Sequence, residues 1–346
     1  MTHRFYLNDD WLFTEQFEDS LAAPEYPENT LQPVRLPHTC KETPFHYFDE
    51  SLYQMVSGYR RHLLIPKDWQ GKQILLTFEG AAHDSTVFCN GKKVGEHHCG
   101  YTAFTVDLTD NVLYGQDNLL CVRLDSRENL NVPPFGYVID YMTYGGIYRD
   151  VRLEVKEKVS LSDIFVHTAI DFSSSPVTAQ ITSEITLTAS DENVTIRQYY
   201  MPKSTAATQE SWRLLCEQTV SADASCDKEL SLTATITAPL LWDTEEANLY
   251  ILKTQLYQDN ALLDETETTF GIREAVFKKD GFYLNGRKLM IRGLNRHQSF
   301  PYVGYAMPKS MQRLDADLLK KELGLNAVRT SHYPQSHYFL ERCDEL

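Results

Sequence analysis

Asn326-Ala327-Val328-Arg329-Thr330-Ser331-His332-Tyr333-Pro334 begins as an apolar, strand-like run and delivers Arg329 and His332 where such a strand would stop. A guanidinium keeps its proton in water and an imidazole titrates near neutrality. Both at one strand end suit a pocket that orients a polar substrate and a carboxylate. Leu289-Met290-Ile291-Arg292-Gly293-Leu294-Asn295-Arg296-His297 repeats the pattern, an apolar strand followed by Asn and His. Between the two, Met311, Leu314, Leu318, Leu319 and Leu323 share one helical face, and Gly324 stops the helix. A second helix is predicted from about 335. Strand, helix, strand with polar groups at both strand ends is how a (β/α)8 barrel builds an active site, on the loops at its C-terminal face.

Working outward, residues 273–346 read as the first two βα units of a TIM (β/α)8 barrel, with strands at 289–294 and 326–330 after an Asn285-Gly286 hairpin. Two such units leave apolar faces uncovered, since a closed barrel has eight. Residues 1–155 are all-β. Ile74 to Phe78, Ser85 to Cys89, Leu119 to Leu124 and Val151 to Val155 are strands, and Asn90-Gly91 is a type I′ hairpin turn. A jelly-roll β-sandwich fits this segment. Residues 156–272 carry about seven strand candidates, at 162–168, 178–189, 194–201, 212–219, 229–236, 249–257 and 265–271, the number of an immunoglobulin-like β-sandwich.

Composition narrows the function. The 346 residues carry a net charge of −15, which argues against nucleic acid or an anionic membrane surface as partner. No apolar run reaches the length of a membrane span. The seven cysteines are odd in number and form no Cys-x-x-Cys pair, and the first residues carry no secretory pattern, so a cytoplasmic protein is expected. His97 and His98 are neighbours in a strand and point to opposite faces, so they do not share an ion. The 20 Tyr and 4 Trp are compatible with stacking on sugars, although aromatic-rich sheet cores account for most of them.

Taken in order, these motifs resemble the N-terminal part of a glycoside hydrolase family 2 enzyme, most like a β-galactosidase. The resemblance rests on Leu36-Pro37-His38-Thr39, Gly58-Tyr59-Arg60-Arg61, Phe78-Glu79-Gly80-Ala81, Val87 to Gly95, Gly100-Tyr101-Thr102-Ala103-Phe104 and Gly145-Gly146-Ile147-Tyr148-Arg149-Asp150-Val151. It continues through Leu241-Trp242, Leu249-Tyr250 and Phe270-Gly271-Ile272-Arg273 to the two barrel stretches quoted above.

The resemblance implies a retaining mechanism with two glutamates about 5–5.5 Å apart, one nucleophile and one acid/base. Both follow later barrel strands and neither lies in this chain, which is therefore expected to be inactive alone. Arg329 matches the arginine beside the nucleophile carboxylate. His297 and His332 match histidines that bond sugar hydroxyls and the transition state, and Asn295 serves the same pocket or caps a turn. Asp140 matches a first-domain aspartate that binds sugar hydroxyls and helps hold Na+, or else closes a loop turn. Gln298 is neutral where some galactosidases are acidic. Tyr302, Tyr305 and Tyr333 are stacking surfaces or packing. No cofactor is expected in this chain, whereas Mg2+ and Na+ belong to the full-length parent, with homo-oligomeric assembly. The alternatives are a β-glucuronidase or another family 2 β-glycosidase, or a non-catalytic carbohydrate-binding fragment.

Overall fold

The computed structural model describes residues 2–46, 49–133, 135, 139, 141–188, 190–204, 211–221 and 227–346. The first body is a two-layer sandwich. Its larger sheet runs Gln32–Val34, Trp11–Thr14, Val56–Ile65, Gln116–Asp125, Asp84–Cys89 and Lys92–His98 in spatial order. Facing it are His3–Tyr6, Val151–Lys156, Gln73–Phe78 and Phe104–Asp107. Strand alternation supplies the core between them: Trp11, Tyr59, Val87 and Val122 from one sheet meet Ile74, Leu76, Phe78 and Leu153 from the other, all buried. The Asp84–Cys89 and Lys92–His98 hairpin turns on Asn90 and Gly91, with φ of 51° and 79°. Those positive angles are what a type I′ turn requires.

The second body is the immunoglobulin-like sandwich. Leu161–Asp171, Thr178–Leu187 and Lys228–Thr237 form one sheet, and Arg213–Val220, Val194–Pro202, Leu249–Gln258 and Ala261–Gly271 the other. Thr178–Leu187 buries every second residue, including Ala179, Ile181 and Ile185, as the period-two pattern requires. The buried carboxylate of Asp264 joins this body to the first, accepting hydrogen bonds from the backbone N–H groups of Thr2 (2.8 Å) and Leu161 (3.1 Å).

The remaining residues form a three-stranded hairpin sheet (Ala275–Lys278, Gly281–Leu284, Arg287–Leu289) and then the βα pair. Gly293–Arg296 lies parallel to Ala327–Thr330, with Asn295 opposite Arg329. The strand expected at 289–294 is corrected here. Leu289 closes the antiparallel hairpin against Phe282, and the parallel strand starts only at Gly293. The apolar run contains no change of period to mark that switch. At Gly293 a side chain is impossible, since an added Cβ would stand 2.6 Å from the Ala327 carbonyl oxygen.

The intervening helix also differs from expectation. It is α-helical over Lys309–Asp317 and widens to a π-turn over Leu318–Glu322 before Gly324, whose φ is 62°. Its buried residues are Gln312 and Ala316, while Leu314 is 50% exposed. The reason is that the side toward the strands serves a polar cluster built on Arg296. The helix His337–Glu345 completes the pair, with Phe339 fully buried under the Arg296 guanidinium at 4.0 Å. Among the described residues no helix is long and apolar enough to cross a membrane.

Candidate functional site

Both parallel strands end at the same level, and the residues just beyond them converge. The last rung between them is the Ser331 N–H to the Arg296 carbonyl, at 3.2 Å. Past it, the His297 and His332 rings stand 5.6 Å apart, nearly perpendicular at 84°. Tyr141 from the first sandwich packs against both, with centroids at 4.9 Å from His297 and 6.0 Å from His332. Two imidazoles and one phenol, contributed by two bodies, therefore stand together at the strand ends.

Tyr333 packs against His297 and Tyr141. It is 5% exposed and stacks on Tyr101 of the sandwich at 4.4 Å with ring planes 5° apart. Its hydroxyl lies 3.2 Å from Nδ1 of His297 and accepts the Gln298 N–H at 3.2 Å. Burial pushes the Tyr333 phenol up to about 12, so the hydroxyl keeps its proton at neutral pH. The contact pairs the Tyr333 hydroxyl with Nδ1 of His297, and which of the two donates follows the imidazole tautomer.

Asn295 and Arg329, register partners across the two strands, are both exposed at this end. Among the described residues no carboxylate pairs with Arg329. Asp140, with the sodium role attached to it, lies outside the described residues. Tyr305 is 1% exposed and belongs to the packing between the bodies, donating to the Met142 carbonyl at 3.1 Å, whereas Tyr302 is exposed. At Gly304 (φ 53°) an added Cβ would stand 2.4 Å from the Tyr144 ring, so glycine lets this loop lie flat on the sandwich. Among the described residues no group of three metal-ligating side chains is present. His97 and His98 have separate partners, Thr102 at 2.7 Å and Asp84 at 3.0 Å.

Three further side chains shape this site without having stood out in the sequence. Arg296 is 6% exposed and holds Asp315 (2.7 Å), Gln312 (2.8 Å) and Gln335, tying strand end, helix and second loop together. Arg149 reaches the same loops from the sandwich. Tyr141 packs on both histidines. Arg149 and Arg296 do stand inside motifs quoted from the sequence, but their partners are far away in the chain.

Three family models match successive parts of the chain: "Glycosyl hydrolases family 2, sugar binding domain" over 9–157, "Glycosyl hydrolases family 2" over 159–273, and "Glycosyl hydrolases family 2, TIM barrel domain" over 275–346. A β-galactosidase of Thermoanaerobacter pseudethanolicus is 40% identical over 98% of this chain and 44% of its own length. A β-glucuronidase of Bacteroides fragilis is 29% identical over 98% of this chain and 48% of its own length. The solved structure of Bacteroides uniformis β-glucuronidase 2, covalently bound to cyclophellitol-6-carboxylate aziridine, superimposes with a TM-score of 0.87 at 28% identity, covering 100% of this chain and 41% of that one. The chain thus spans less than half the length of these relatives.

Proposed function

The chain belongs to glycoside hydrolase family 2, and from that premise we propose that it is the substrate-orienting part of a retaining glycosidase that cleaves terminal β-D-galactosides. The observation that carries this reading is the pair His297 and His332, 5.6 Å apart at the ends of two parallel strands. Two imidazole edges at that spacing meet neighbouring hydroxyls of one sugar ring. A bond that tightens as the oxocarbenium ion develops lowers the barrier, whereas one equally strong throughout does not. Arg329 keeps the nucleophile carboxylate ionised and aimed. Asn295 bonds the sugar beside it, and Asp140 accepts two hydroxyls and helps hold Na+. Tyr141, the residue after Asp140, already lies against both histidines.

The two glutamates are supplied by later barrel strands, so the 346-residue chain alone is inactive. The whole protein is a cytoplasmic homo-oligomer that uses Mg2+ and Na+. The higher identity to a β-galactosidase (40%) than to a β-glucuronidase (29%) supports the galactoside. The close superposition on a β-glucuronidase favours the second reading, a glucuronide substrate. Hydrolysis of nitrophenyl β-galactoside, β-glucuronide and β-mannoside by the whole protein separates the two. Galactoside is expected to give the highest kcat/KM, and preference for either of the others overturns the assignment. Release of nitrophenol by the 346-residue chain would overturn its inactivity.

A further inference from the structure

Beyond Ser331 the two histidine loops leave the strand ladder, and something else must hold them at one separation. Arg149, at the end of the first sandwich and 8% exposed, reaches both. Its Nη2 donates to the Gln298 side-chain oxygen at 2.7 Å and to the Pro334 carbonyl at 2.7 Å. Gln298 directly follows His297, and Pro334 lies two residues after His332. Nη1 donates to the Glu79 carbonyl at 3.3 Å, and the guanidinium carbon sits 5.1 Å from the centre of the Tyr148 ring, so the sandwich itself fixes where the fork points.

We infer that Arg149 is a positioning residue of the sugar pocket, setting the spacing of His297 and His332 from the sandwich side. The inference rests on the function proposed above. Arg149 touches no substrate, and it acts through Gln298 and Pro334. The chemistry suits arginine in particular. One planar fork reaches three acceptors in fixed directions, whereas a lysine ammonium is a point charge on a flexible stem. Gln298 is fully buried, so water cannot replace the guanidinium if it is withdrawn. Being neutral, Gln298 takes one bond without drawing the whole charge away from the Pro334 carbonyl. A glutamate there would compete for it as an ion pair.

Isotope-labelled imidazoles in the 346-residue chain read the geometry directly, and calorimetry with isopropyl β-D-thiogalactoside reads its consequence. Arg149→Lys is expected to move the His297 and His332 signals together and to weaken thiogalactoside binding about 10-fold, as the loss of one well-aimed hydrogen bond does. Gln298→Met, which removes one acceptor and leaves Pro334 held, is expected to move His297 more than His332. Arg60→Lys alters a second buried arginine of the same sandwich, one bonded to Ala23 and Glu28. It is expected to lower Tm and leave both histidine signals in place. Arg149→Lys and Gln298→Met variants that lower Tm while both histidines keep their wild-type signals would overturn the inference. Absence of thiogalactoside binding by the wild-type chain would count against the proposed function alone, because the imidazole signals still decide the role of Arg149.

Discussion

The first sandwich and the βα pair both carry regular apolar patterns, yet they spend them differently. In the sandwich Trp11, Tyr59, Phe78 and Val122 are wholly shielded, because two sheets folded from one stretch of chain supply each other's cover. In the βα pair Met290 is 78% exposed, Leu294 52% and Leu323 57%. What holds the pair is polar and borrowed: the Arg296 cluster within it, and Tyr305 and Tyr333 docked among Tyr101 and Tyr148 of the sandwich. A buried ion pair gains little net stability, because desolvation offsets much of the attraction. The site therefore sits on the least self-sufficient part of the molecule and takes its rigidity from a neighbour.

The most severe way to break this comparison is to damage the self-sufficient half. Trp11 is fully buried, with its indole N–H donating to the Leu7 carbonyl at 2.5 Å. Trp11→Ala is expected to cost about 3–5 kcal/mol, read as a lower urea midpoint. A loss below 1 kcal/mol, on the order of an ordinary surface change, would show that the sandwich is not the stabilising core.

Acid is the next test. Burial pushes both His38 and His83 down to about 4, and both belong to the first sandwich. Their folded values lie below that of an unfolded histidine, about 6.5, so between the two the unfolded chain binds more protons. Stability is then complete above about pH 6.5 and falls as the pH drops toward 4, by on the order of 3–4 kcal/mol for the two together between pH 7 and pH 5. Asp317 is held down to about 2 by hydrogen bonds from Arg342 and Lys321. Glu345 is held down to about 2 against its own desolvation by hydrogen bonds from Arg313 and Arg342. Their contribution persists until the pH falls below the ordinary carboxylate values, about 4. Urea midpoints that stay level from pH 7 to pH 5 would contradict the histidine assignment.

The smallest effect is expected on the open half. Leu314, half exposed on its helix, should tolerate Leu314→Ser within about 0.5 kcal/mol. A cost comparable to that of Trp11→Ala would mean that this face is covered in solution.

Much of the architecture was legible because its signals are local. Asn90-Gly91 and Asn285-Gly286 turn where those dipeptides must, with positive φ at all four residues. The seven strands of the immunoglobulin-like body follow period-two alternation or turn residues at their ends. The start of the parallel strand is not legible to within several residues, because Leu289-Met290-Ile291 is equally apolar on either side of the break. Exposure of the Leu314 face was not legible, since helical periodicity marks a stripe without saying what will cover it. At the site, His297 and His332 could be singled out because each follows an apolar strand. Tyr141, Arg149 and Arg296 could not, because their partners come from elsewhere in the chain.

By itself, then, the order of residues determined three bodies, their turns, and the two strands whose ends present imidazoles. These depend on contacts between near neighbours and on the alternation of side chains along a backbone. Tertiary structure alone decided that the imidazoles stand 5.6 Å apart beneath Tyr141, and that Arg149 of one body holds the loops of another. Such distances depend on how separately folded surfaces meet, and side-chain periodicity within either surface carries no record of that meeting.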